Sequence, residues 1–162
     1  MLIKQINSQG TWYTPSPTIN PDNSWKCRIV AMCGADLDAA EKLETVRQFE
    51  LQQLPRETRD LTETELQVIR QRRRDQLTEL VDRMLSVNKD TIANQVKEIS
   101  GLQWEDDKGK THEITTGEEL IRVLPKLPAH WRSAVIQELT AEINRLSRPE
   151  VEHLKNSKPS ST

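Results

Sequence analysis

Glycine is scarce in this 162-residue chain, with five residues that each stand alone. Neither a dinucleotide-binding G-x-G-x-x-G nor a phosphate-cradling Walker loop can be built from them. Histidine is scarcer still. His112, His130 and His153 fall in three different predicted elements, none at ligand spacing to another histidine or cysteine, whereas a zinc site takes about four ligands, usually as two close pairs. The two cysteines, Cys27 and Cys33, are six residues apart. On a strand that even separation puts both thiols on one face, too far apart to bond, and the pair reads as buried structural cysteines. No apolar run approaches the roughly eighteen residues of a membrane span. The segment Met1 to Asn7 lacks the charged start and apolar stretch of a signal peptide, so residence in a reducing cytoplasm is the expectation. A basic excess is missing too: the net charge is −2, which argues against a dedicated nucleic-acid binder. The acidic pair Asp106 and Asp107 sits beside Lys108 and Lys110 in turn-forming sequence and reads as solvated. With no set of side chains at catalytic spacing and no cofactor motif, a non-catalytic binding or assembly protein is expected.

Charge and helical periodicity take the place of those motifs. Charged residues make up 30% of the chain and apolar ones only 35%, the balance of a protein with elongated parts that pack little. The first 34 residues read as β-rich. Leu2, Ile3 and Ile6 start a strand ending near Gly10, and Thr11 to Thr14 form a second, closed by Pro15 and Pro17. Ser24 to Cys33 is the best strand, its alternation broken at Val30. Residues 35–86 read as a helical hairpin. Leu37, Ala40, Leu43, Val46 and Phe49 repeat at threes up to Pro55. A capping box at Thr62 to Glu65 then opens a long helix to about Ser86. Residues 87–148 form an α+β part. Thr91 to Trp104 fits either helical spacing or alternation. A hairpin turns at Asp106 to Lys110, a second capping box starts a short helix at Thr116, and Ala129 to Ser147 is the most regular helix. Residues 149–162 are a polar tail. The whole is expected to be α+β, one domain overall.

Four arginines in five positions (Arg70, Arg72, Arg73 and Arg74) are the strongest charge feature. They spread around more than half the helix among Glu63, Glu65, Asp75, Glu79 and Asp82, so a solvated or protein-contacting helix is favoured over a phosphate-tracking one. Trp25 and Trp131 fall on apolar faces and are expected in the core. Trp12 and Trp104 lie near strand ends, where they cap a sheet edge or form a contact surface.

The order of these pieces carries a resemblance. An N-terminal Trp12-Tyr13 precedes Trp25-Lys26-Cys27-Arg28-Ile29, and charged helices follow. Then come V-x-x-I-x-G at Val96 to Gly101, the acidic-Gly turn between Trp104 and Lys110, T-x-E-E-L at Thr116 to Leu120, a Pro-flanked amphipathic helix and a Lys155-Asn156-Ser157 tail. In layout the chain resembles small tail-assembly chaperones and related tail proteins of tailed bacteriophages. That resemblance implies a protein without catalysis that binds phage tail components. The implied partners are the elongated tape-measure protein or, for a permanent virion subunit, tube and baseplate proteins. It would act in the host cytoplasm during assembly, and a homo-oligomer is compatible with it. The expected contact residues are Arg70, Arg73 and Arg74 on the long helix, Trp12 and Tyr13 near the sheet edge, and Lys155 and Asn156 in the tail.

Overall fold

The computed structural model describes residues 9–148; the strand expected at Leu2 to Ile6 and the tail with Lys155 and Asn156 lie outside them. The fold is α+β, in the order β1 (Thr11–Tyr13), β2 (Lys26–Ile29), α1 (Ala35–Gln52), α2 (Glu63–Gln95), β3 (Val96–Ser100), β4 (Leu102–Glu105), β5 (Thr111–Ile114), α3 (Gly117–Val123), a 3-10 turn at Leu124–Lys126, and α4 (Ala129–Ser147). Two compact units result. Among the described residues one comprises 9–33 and 88–148, and the other is Gly34–Val87.

The first unit holds the core. β1, β2 and β3 form an antiparallel sheet in that order, and β4 and β5 form a separate hairpin. β2 is shorter than the ten-residue strand expected. Its register against β3 shifts between Arg28 and Ile29, beside the Val30 that breaks the alternation, and the Val30 amide donates to Gln95 O at 2.9 Å. The same irregularity separates the cysteines. Cys27 is fully buried opposite Ile99, while Cys33, beyond the strand's end, is exposed. Parity along a strand fixes a face only while the strand continues. Burial, reinforced by the charges of Glu142 and Glu138, pushes the Cys27 thiol up to about 12, so it packs as an inert small hydrophobe.

The long helix does not end near Ser86 but continues to Gln95, and β3 begins at the next residue. No glycine or proline lies between Ser86 and Gln95 to stop it, and the fully buried Ile92 anchors its last turns. Val96 and Ile99, ambiguous in sequence, are strand residues because β2 supplies a partner. Gly117 lets α3 approach this junction: a Cβ there would lie 2.5 Å from Ile92 O and 2.8 Å from Val96 Cβ. Gly101, at φ +86, makes the bend from β3 to β4, where a Cβ would meet Ser24 O at 2.2 Å.

Local signals set the helix starts. Thr62 and Glu65 form a reciprocal box: the Thr62 amide donates to Glu65 Oε2 at 2.8 Å and the Glu65 amide to Thr62 Oγ1 at 3.3 Å. At α3, Thr116 Oγ1 accepts from the Glu119 amide, but the Glu119 carboxylate reaches back to Thr115 rather than Thr116. α4 buries Val135, Ile136, Leu139 and Ile143 along one stripe, which covers roughly a third of its circumference and explains its regularity. Ser147 ends that stripe, accepting from the Met32 amide and donating to Ile143 O.

Glu138, on the flank of α4, fastens the N-terminal segment. Its carboxylate accepts from the Tyr13 hydroxyl at 2.8 Å, the Ser16 amide at 2.5 Å and the Ser16 hydroxyl at 2.6 Å. Partial burial opposes its charge, but the Ser16 and Tyr13 hydrogen bonds outweigh that and hold its pKa below the ordinary carboxylate value. Burial first, and the same carboxylate second, raise the Tyr13 phenol.

Candidate functional site

In the unit Gly34–Val87, α1 buries no residue, and Leu80 is the one buried apolar side chain among the described residues. Leu37, Leu43, Val46, Leu51, Leu54, Leu61, Leu66, Ile69, Leu77, Met84 and Val87 are half-buried. Phe49 is 61% exposed, Val81 59% and Val68 54%. Two helices can hide one apolar seam between them, but not a second one facing outward.

α2 carries a strict heptad that runs through the buried Leu80. Leu66, Arg70, Arg73, Leu77, Leu80, Met84 and Val87 follow at alternating spacings of four and three, the repeat of a helix that packs against another helix. Arginines occupy two successive seam positions. Arg70 is answered within the chain by Glu57, Nε to Oε1 at 2.8 Å and Nη2 to Oε2 at 3.3 Å. That pairing, with Arg73 nearby, lowers the Glu57 carboxyl. Arg73 and Arg74 make no ion pair among the described residues, and with Arg70, Gln67, Gln71, Glu57 and Leu77 they line a groove of about 730 Å³. Further along the pair, Arg83 joins Glu50 at 2.9 Å and Glu79 at 3.5 Å. Phe49, Glu50, Leu80 and Arg83 border a second hollow of about 260 Å³.

Of the residues singled out in the sequence, Arg70, Arg73 and Arg74 come together in one groove. Trp12 and Tyr13 lie on β1 in the other unit. Trp12 is 45% exposed with Lys26 Nζ 4.8 Å from its ring centroid, whereas the Tyr13 hydroxyl is engaged by Glu138. Lys155 and Asn156 are outside the described residues. Glu57, Phe49, Val68 and Val81 were not among those singled out, and none is a position of the α2 heptad, so that repeat gives no signal for them.

The sheet unit contains a second concave feature, a cleft of about 410 Å³ lined by Trp25, Trp104, Trp131, Leu102, Lys126 and neighbours. Trp25 and Trp131 both donate their indole N–H to Ile19 O, at 3.2 and 3.1 Å, so only their ring faces remain for a ligand. Trp104 stacks on His112 at 5.1 Å, with Lys126 Nζ 5.2 Å from its ring. Asp106 is occupied with the turn: it accepts from the Lys108 and Lys110 amides and pairs with His112 at 2.8 Å. The His112 contact first, and then those amides, lower its pKa. A carboxylate so satisfied is a turn-former, not a proton carrier.

Among the described residues no group of three or more His, Cys, Asp or Glu side chains is placed to hold a metal ion, and no helix is long and apolar enough to cross a membrane. No protein-family model, curated protein or solved structure matches the chain.

Proposed function

We propose that this chain is a non-catalytic assembly protein that binds other proteins through the helical pair Gly34–Val87, while the other unit holds the buried core. One observation carries the reading: a 54-residue helical unit with a single buried apolar residue, Leu80, and exposed Phe49, Val68 and Val81. Such a pair has apolar area still to cover, and a partner is what would cover it. The layout of the sequence supports the narrower form of the proposal, a tail-assembly factor of a tailed phage that holds an elongated tail component until polymerisation.

The test is quantitative mass spectrometry of purified particles and infected-cell lysate from the parent source. Abundance in the lysate, absence from the particles and co-purification with a tape-measure-type protein support the proposal. A fixed small-integer ratio to the tube subunit makes the chain a permanent virion component instead. If co-purification survives Phe49→Glu combined with Val81→Glu, the helical pair is not the binding element.

A further inference from the structure

Building on that assembly reading, we propose that the arginine-lined groove of α2 selects an acidic amphipathic helix of another protein. Its apolar side chains would lie on the half-buried Leu66 and Leu77, and its carboxylates would reach Arg73 and Arg74. The spacing points to a helical occupant: Leu66, Arg70, Arg73 and Leu77 are not buried and alternate at four and three, the repeat that accepts knobs from a second helix. The charge says which helix. Between Gln67 and Arg74 there are four arginines and no acid. Arg73 lies within the seam, so a docked partner desolvates it, and an uncompensated guanidinium in a desolvated seam is strongly unfavourable. A carboxylate supplied by the partner removes that penalty through charge-assisted, bidentate hydrogen bonds. Glu57 shows the chemistry within the chain: a carboxylate entering this groove takes two hydrogen bonds from Arg70.

A second copy of α2 is a poor occupant. Parallel pairing puts Arg70 and Arg73 against their own counterparts. Antiparallel pairing centred on the seam puts Arg70 opposite Met84 and Arg73 opposite Leu80. The acids that would have to answer, Asp75, Glu79 and Asp82, lie roughly 120° or more around the helix from the seam at 3.6 residues per turn. Nucleic acid is disfavoured by the unit as a whole, in which nine Lys/Arg stand against twelve Asp/Glu over residues 34–87, a net −3. A phosphate backbone would meet that field along the length of the pair.

The experiment uses the full chain and a fluorescein-labelled synthetic helical peptide with leucines at heptad positions and two glutamates at its centre. Matched peptides carry glutamine or lysine at those two places. Fluorescence anisotropy at physiological salt should give about tenfold tighter binding for the glutamate peptide than for the glutamine one, a 1.4 kcal/mol difference. The double variant Arg73→Glu/Arg74→Glu should lose the glutamate peptide and gain the lysine peptide, and this exchange of specificity excludes simple unfolding. Arg73→Gln/Arg74→Gln should level the three peptides. Equal binding of all three by the wild-type chain would overturn charge selection while leaving a helix-binding surface in place. Failure to bind any of them would overturn the proposal, and particle mass spectrometry then judges the assembly reading separately. Two further results would overturn it: tighter binding of a 20-base-pair duplex, lost in the double variant, and self-association in sedimentation velocity, lost in the same variant.

Discussion

Replacing Glu138 with alanine removes the carboxylate that hydrogen-bonds Tyr13 and Ser16 to α4. Three donors lose their acceptor: the Tyr13 hydroxyl, the Ser16 amide and the Ser16 hydroxyl. A hydrogen bond to a charged group is worth about 1.5–3 kcal/mol, but these groups are half-buried and water can re-solvate the hydroxyls, so the sum is far from additive. About 2 kcal/mol for Glu138→Ala is expected, which at roughly 4 °C per kcal/mol lowers Tm by about 8 °C. Glu138→Gln keeps one acceptor and should lose about half as much. The pH dependence supplies a second reading of the same bond. The folded-state pKa of Glu138 lies below its ordinary value, so its contribution is fully present above the unfolded value of about 4.3 and disappears as pH falls through the lower folded value. Urea unfolding followed by tryptophan fluorescence, at pH 7 and again near pH 3, measures both effects. The gap between wild type and Glu138→Gln should narrow at the lower pH. A Glu138→Ala chain within 0.5 kcal/mol (about the spread of ordinary surface substitutions) of wild type at pH 7 would refute this role for the carboxylate.

Three further outcomes follow from particular contacts. Gly101→Ala places a Cβ 2.2 Å from Ser24 O at φ +86 and should cost more than about 1 kcal/mol, read as a lower urea midpoint with an unchanged slope. Thr116→Ala removes the oxygen that accepts the Glu119 amide and should cost about 1 kcal/mol by the same assay. Val81→Glu changes a 59% exposed side chain, so urea unfolding should move by less than about 0.5 kcal/mol while co-purification of the partner falls. Loss of stability of several times that size would place Val81 inside a core.

What could be read from the sequence was local. The capping residues Thr62 and Thr116, the turn at Asp106 to Lys110 and the stripe of α4 are decided within a few residues, and each appears in the structure where the sequence put it. The β2–β3 pairing joins Cys27 to Ile99 across more than seventy intervening positions. No neighbouring residue records such a contact, so Val96 to Ser100 could be read either as helix or as strand. The exposure of Phe49 follows from the spacing of α1. Apolar residues repeating at threes drift by roughly 60° per step on a helix of 3.6 residues per turn. Leu37, Ala40, Leu43, Val46 and Phe49 therefore wind around α1 instead of marking one face, and the last of them arrives on the outside. In α2 the opposite error is available. Arg70 and Arg73 hide a heptad that Leu66, Leu77, Leu80, Met84 and Val87 otherwise spell out, because a search for apolar residues stops at the charged waist.

If the helical pair binds a partner as proposed, those two arginines also explain how it avoids indiscriminate pairing. A seam of leucine from Leu66 to Leu77 would be a general adhesive, as ready to pair with its own copy as with any passing amphipathic helix. Inserting Arg70 and Arg73 sacrifices apolar area in the middle of the seam, and Glu57 offsets only part of that by engaging Arg70. The penalty falls hardest on partners that bring nothing to pair with Arg73, since discrimination rests as much on what a wrong partner leaves unpaired as on what the right one gains. Stability is correspondingly graded along the single helix α2. Its last turns are held by the fully buried Ile92 and by Gln95, while its first half, residues 63–79, buries no side chain. A segment of that kind can wait partly uncovered without unfolding the sheet unit, because the residues that a partner would order are not the residues that hold the fold together.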